Sequence, residues 1–204
     1  YKPGWYDLAG FCVGVVERKQ LLNGQEIRPG DKVIGLASSG LHSNGYSLAR
    51  KIAFDHAGLA PETFVPELGR TVADEFLMPT RIYVRAMKSV YRRYRVKQIV
   101  HGIAHITGGG LVENPPRILP AGCSLRLRRV WEVPPVFPWL QKLGSVPDHE
   151  MLRVFNMGIG LVLIVAEYFA DAIVRGLKER LKLPAWVIGE VVEGNREVLW
   201  GETE

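Results

Sequence analysis

The stretch SSGLHSNGYSLARK, Ser38 to Lys51, decides how the chain is organised. It sits between a purely apolar run and a helical pattern. Before it, KVIGLA, Lys32 to Ala37, reads as a short buried strand entered from the turn Pro29-Gly30-Asp31. After it, Leu48 with Ile52 and Ala49 with Ala53 recur at helical spacing over Tyr46 to His56, with Gly58 as a C-cap. The result is strand, polar glycine-punctuated loop, helix. Gly40 and Gly45 open backbone geometries that other residues avoid, so consecutive N–H groups can converge on an anion. Ser38, Ser39, His42, Ser43 and Asn44 add five side chains that can hydrogen-bond. The same residues also suit a loop that merely caps the following helix through Ser43 or Asn44, and the loop matches neither G-x-G-x-x-G nor G-x-x-x-x-G-K-[ST]. His42 is either an exposed loop histidine or, beside a ligand, a group that exchanges a proton or donates to an oxyanion.

The theme recurs further along. QIVHGIAHIT, Gln98 to Thr107, reads as a strand, Gly108 to Gly110 follow, and a short helix from Leu111 stops at Pro115 and Pro116. Three consecutive glycines imply either a tight strand-to-helix turn or close approach of a backbone or ligand. Tyr83, Met87, Val90 or Tyr91, and Tyr94 mark one helix face. Phe11 to Glu17 and Cys123 to Leu127 alternate as strands, and Gly160 to Ala166 is a buried strand. The prolines at 134, 135 and 138 interrupt a loop around Trp131 and Trp139, and Asp148 caps a helix through Phe155. Asn156 and Gly158 serve as caps or place polar groups over a ligand. Phe169, Ile173, Leu177 and Leu181 line a helix, and WVIGEVVEG with REVLW reads as a closing hairpin around Gly194-Asn195. The pattern gives an α/β (α+β) protein with a mixed β-sheet and helices packed on it.

Composition sets limits. The chain has 204 residues, 47% hydrophobic, enough for a packed core. No apolar run reaches the roughly 18 residues of a membrane span, and YKPGWYDLAG is no signal peptide, so a cytoplasmic protein without a membrane partner is expected. Cys12 and Cys123 lie in apolar strand-like runs and read as core residues in a reducing compartment. The net charge of +5 includes the cluster Arg92, Arg93, Arg95 and Lys97. It falls at a helix end where positive charge complements the dipole, and no groove-reading motif accompanies it, so nucleic acid is not an expected partner. His101 and His105 stand four apart, but on a strand rather than a helix, and no metal site is assigned to them.

YDLAGFCVGVVER, GLASSGLHSNGYSLARKI, PTRIYV, HITGGGLVENPPRILP and FNMGIGLVLIV together resemble the phosphoribosylformylglycinamidine cyclo-ligase (AIR synthetase) family, over its C-terminal domain. The resemblance implies residues 19–204 as that domain, with the AIR synthetase C-terminal fold, and residues 1–18 as a segment leading in from an N-terminal ATP-binding domain. With no initiator Met, a piece of a longer protein is expected. The implied activity belongs to purine biosynthesis: ATP activates the formyl oxygen of formylglycinamidine ribonucleotide, and ring closure gives 5-aminoimidazole ribonucleotide, ADP and phosphate. The implied enzyme is a homodimer acting on a small-molecule ribonucleotide, with ATP and Mg²⁺ held largely by the N-terminal domain, so that this part alone is expected to be inactive. On these motifs His42 and Asn44 are expected to face the reacting centre. Ser38, Ser39, Gly40, Ser43 and Gly45 with Thr107, Gly108, Gly109 and Gly110 are expected to line the phosphate and substrate pocket. Another ATP-dependent enzyme of the same superfamily, such as a small-molecule kinase or an amidotransferase-linked ligase, or a non-catalytic domain, is the alternative.

Overall fold

The computed structural model describes residues 2–6 and 8–201; Asp7, a lone acid before the first apolar run, lies outside them. In chain order, β1 (Lys32–Ala37) leads into α1 (Tyr46–Arg50), which continues as a π-helix over Lys51–His56. A two-stranded ribbon, β2 (Phe64–Val65) and β3 (Arg70–Thr71), precedes α2 (Val72–Phe76) and α3 (Val84–Arg93). Then come β4 (Val100–His105), α4 (Gly110–Glu113), β5 (Cys123–Leu127), α5 (Val136–Gly144) and α6 (Asp148–Val154). β6 (Ile159–Val165), α7 (Ala170–Leu181), β7 (Ala185–Glu193) and β8 (Val198–Trp200) close the chain.

Six strands form one mixed sheet in the order β4-β6-β1-β7-β5-β8. β1 alternates its side chains between two cores. Ile34 and Leu36 join Ala86 and Val90 of α3 and Ile173 and Leu177 of α7 on one face. Val33 joins Ile164, Ile188 and Leu111 on the other. A third core, built on Leu41, Ile52, Phe76, Phe137 and Phe155, gathers the helices around the loop after β1. Alternation with burial on both faces is what period-2 side chains produce when each face has a covering layer.

β6 runs antiparallel to β1 and to β4, and lies between them. β1 and β4 are therefore parallel to one another and end on the same edge of the sheet, where β6 begins. Ala37 stands opposite Ile159, and His105 opposite Leu161. The two glycine-bearing loops thus leave the sheet side by side.

Four expectations are corrected. β7 and β8 do not form a hairpin: β7 is already bonded on both edges, to β1 and β5, so β8 adds to β5 in parallel instead. Residues 11–17 form no strand, because no described segment runs beside them to take their backbone hydrogen bonds. Phe11, Val13 and Val15 stand almost fully exposed there and Cys12 is exposed too, while Cys123 is in the core as expected. The proline-rich segment after Trp131 contains α5. Pro135 precedes its first residue and Pro138 lies in its first turn, where the N–H groups have no intrahelical acceptor to lose.

Candidate functional site

The loop after β1 is shaped by residues it could not do without. Leu41 to Asn44 form a turn closed by the Asn44 N–H donating to the Leu41 carbonyl at 3.2 Å. Its central residues, His42 and Ser43, both have positive φ, 55° and 60°, the pattern of a type I′ turn. Neither is glycine, so each costs on the order of 1–2 kcal/mol of backbone strain. The surroundings hold them there. Asn156, fully buried just before β6, donates Nδ2 to the Gly40 carbonyl at 2.8 Å and accepts the Gly158 N–H at 2.8 Å. Ser38 N–H donates to the Gly158 carbonyl at 2.8 Å. The turn is thereby pinned to the start of β6.

His42 is 3% exposed. Its Nε2 accepts the Ser39 N–H at 2.8 Å and the Arg81 N–H at 3.2 Å. Two main-chain donors aimed at one ring nitrogen require a lone pair there, so the proton sits on Nδ1. Burial, aided by the nearby charges of His105 and Arg81, lowers the imidazole pKa from 6.5 to about 4. The ring faces inward, stacked at a tilt 6.1 Å from Tyr83 and lying over Gly160 of β6. A Cβ at residue 160 would collide with the Tyr83 hydroxyl and the His42 ring, which explains a glycine in mid-strand. Tyr83 Oη donates to the Ala37 carbonyl at 2.8 Å, and burial raises its pKa. His42 is thus neither an exposed loop histidine nor a free base; it ties the 38–45 loop to the segment Pro79–Arg81. Ser39 Oγ adds a bond to the Pro79 carbonyl at 2.7 Å.

The second loop has its own anchor. Asn114, 4% exposed, accepts the Thr107 N–H and hydroxyl on Oδ1 and donates Nδ2 to the Gly108 carbonyl at 3.0 Å. The three glycines divide by cause. Gly110 has φ 56°, and a Cβ there would strike the Leu152 carbonyl of α6, so the fold demands it. Gly109 has φ 101° and is hemmed in by Glu113 and Asn114. Gly108 alone is open, with nothing within 4 Å of where a Cβ would be.

The two loops meet: the Gly108 N–H donates to Asn44 Oδ1 at 3.2 Å, and Asn44 Nδ2 donates to the His42 carbonyl at 2.7 Å. The outer face of this junction is Ser43, Asn44, Thr80, Arg81, Thr107 and Gly108, exposed or half-buried, with exposed His105 beside it. Ser38, Gly40 and His42 lie beneath it, and Gly45 packs against Phe155. Within and below the rim, Ser38 Oγ, His42 Nδ1 and Arg81 Nε are buried without a hydrogen-bond partner among the described residues. The exposed Ser43 and Thr80 hydroxyls, edged by Arg81 and His105, are suited to an anion with several acceptor oxygens. Asn114, Arg81 and His105 were not singled out as site residues from sequence. PTRIYV and HITGGGLVEN contain all three, but only the fold shows which side chains of those motifs turn toward the junction. His101 does not join His105: it is buried at the far end of β4, with Nδ1 2.7 Å from Asp31 Oδ2.

The architecture is that of a class of α/β domains known from solved structures. Thiamine-monophosphate kinase of Stenotrophomonas maltophilia superposes over 91% of this chain and 54% of its own, with TM-score 0.54 at 18% identity. The hydrogenase maturation protein HypE of E. coli superposes over 88% of this chain and 48% of its own, with TM-score 0.53 at 20% identity. Within that class, the chain belongs to the family described as AIR synthase related protein, C-terminal domain, whose model matches residues 28–202. Phosphoribosylformylglycinamidine cyclo-ligase of Trichlorobacter lovleyi is 52% identical over 195 residues, and that of Carboxydothermus hydrogenoformans 46% identical over 202. These alignments cover 94% and 99% of this chain but 54% and 57% of the relatives, so the chain spans about half the length of the curated relatives it matches.

Proposed function

We propose that this chain is the ribotide-seating half of an ATP-dependent cyclo-ligase that closes formylglycinamidine ribonucleotide to 5-aminoimidazole ribonucleotide. The unit runs over residues 19–204. In the reaction the γ-phosphoryl of ATP passes to the formyl oxygen and ADP leaves. The amidine nitrogen then attacks the formyl carbon, a C–N bond forms, the bond to the phosphorylated oxygen breaks, and phosphate and a proton depart. Half of that problem is positioning, because two atoms of one molecule must be held together away from water.

The observation that carries the proposal is the Asn44–Gly108 bond, which joins both glycine-bearing loops into one rim edged by Arg81 and His105. The Ser43 and Thr80 hydroxyls offer donors to the ribotide phosphate over the open Gly108, with Arg81 adding positive charge. Asn44, at the rim, is the residue assigned to the reacting amide. His42 acts from below as a neutral positioning residue. Its Nε2 is committed to the Ser39 and Arg81 N–H groups, so it fixes the backbone of the two segments rather than moving protons. Among the described residues no group of three or more His, Cys, Asp or Glu side chains could hold a metal ion. Mg²⁺ and most ATP contacts are assigned to the remaining half of the whole protein, the half that would also form its homodimer. The expected setting is cytoplasmic; among the described residues no helix is long and apolar enough to cross a membrane.

The test is calorimetric titration of the 204-residue chain with the ribotide, alongside an assay for the aminoimidazole. Saturable binding competed by ribose 5-phosphate, weakened by Arg81→Gln and by Gly108→Val, with no turnover, is expected. Absence of binding, or binding indifferent to both substitutions, overturns the seating role. Turnover at a rate comparable to a full-length relative overturns the division of labour.

A further inference from the structure

The basic cluster near the end of α3 is larger in three dimensions than along the chain. Arg85, Lys88, Ser89 and Arg92 recur at the spacing that lines one face of a helix. That face looks onto α7, which adds Arg180. The groove between the helices, about 570 Å³, is lined by these residues with Arg93 and Leu181. Among the described residues none of the five cations is in an ion pair.

Helix electrostatics account for Arg92 and Arg93, which lie in the last turn of α3 where positive charge complements the dipole. They do not account for Arg85, which lies in the first turn, where a cation is unfavourable, or for Lys88. Cations three and four apart also repel each other. Like charges crowded around one groove, four on α3 and Arg180 on α7, repel one another, a cost that an anion in the groove would offset.

The lining says which anion. Four of the five cations are arginine, whose planar fork engages phosphate oxygens two at a time. Arg85 and Arg92 stand seven residues apart, roughly 10 Å along the helix axis, long enough to engage several phosphates in line. Ser89 and Leu181 are the only lining residues without a charge, and no aromatic ring is present on which a base could stack. We propose that the α3–α7 groove binds a chain of three or more linked phosphates, read by charge alone, whether inorganic polyphosphate or the tail of a nucleoside triphosphate. None of its lining residues belongs to the rim described above, so it stands or falls independently of the ribotide proposal.

The test is titration of the 204-residue chain with sodium tripolyphosphate, with ATP, orthophosphate and a short single-stranded RNA in parallel. Saturable binding of tripolyphosphate is expected, weakening as salt rises from about 0.05 to about 0.3 M. R85E/K88E should weaken it by about ten-fold or more, with R92Q/R180Q as a milder second variant, both checked for an unchanged circular dichroism spectrum. The control R129E/K142E, equal in charge change but distant in sequence, should bind as wild type. Tripolyphosphate tighter than ATP assigns the inorganic chain, and ATP tighter or equal assigns the nucleotide tail. An equal loss in the control, orthophosphate binding as tightly as tripolyphosphate, tighter binding of RNA, or no tripolyphosphate binding overturns the proposal.

Discussion

Acidification from pH 7 to pH 5 should cost this protein about 2 kcal/mol of stability through His42 alone. The perturbation acts on a single nitrogen. In the folded chain Nε2 accepts two main-chain N–H bonds, from Ser39 at 2.8 Å and Arg81 at 3.2 Å, and the ring is 3% exposed. A second proton would place a charge in the interior, beside His105 and Arg81, and would also set N–H against N–H. Folding therefore lowers the pKa from 6.5 to about 4. As pH falls through 6.5 the unfolded chain takes up the proton and the folded chain does not, so the unfolded state gains. The loss grows to about 3 kcal/mol near pH 4, where the folded state protonates as well, and then levels off. Carboxylates titrate in the same range, so the measurement is a difference. Urea midpoints at pH 7 and pH 5 are compared between wild type and His42→Asn. Asparagine tolerates the left-handed backbone and offers an acceptor oxygen without titrating. The wild type should lose about 2 kcal/mol more than the variant over that interval. Equal losses, or an imidazole nitrogen spectrum showing the proton on Nε2 at pH 7, would refute the assignment.

Other consequences follow from the same geometry. Asn156→Ala strands the Gly40 carbonyl and the Gly158 N–H in the interior and should destabilise the chain by about 3 kcal/mol in chemical denaturation. Gly110→Ala must hold a Cβ at φ 56° against the Leu152 carbonyl; a loss of about 3 kcal/mol or more is expected, with a lowered melting temperature. Asn44→Ala, at a half-buried position, should cost only about 1 kcal/mol of stability, yet weaken ribotide binding by about ten-fold, because it unties the two loops. Tyr83→Phe should lower stability by about 1 kcal/mol through the Ala37 carbonyl, measured by thermal melting.

Much of the molecule is written locally. The apolar run Lys32–Ala37, the glycine-rich bends and the amphipathic spacing of α3 and α7 each specify their own element, because period, capping and turn chemistry act over a few residues. The motifs around His42 and Thr107 were legible for the same reason, and so was membership of the family. What local pattern could not supply was adjacency. Nothing near Ser38 announces that Ile159–Val165, more than a hundred residues later, will insert between β1 and β4 and run against both. That insertion sends both loops out at one edge, lets Asn44 reach Gly108, and folds His42 inward over Gly160. β1 and β5 in turn fill both edges of β7, so REVLW pairs with β5 rather than closing a hairpin. Strand partners are chosen by which unpaired edges the assembled sheet still offers, a property of the whole chain rather than of any stretch of it.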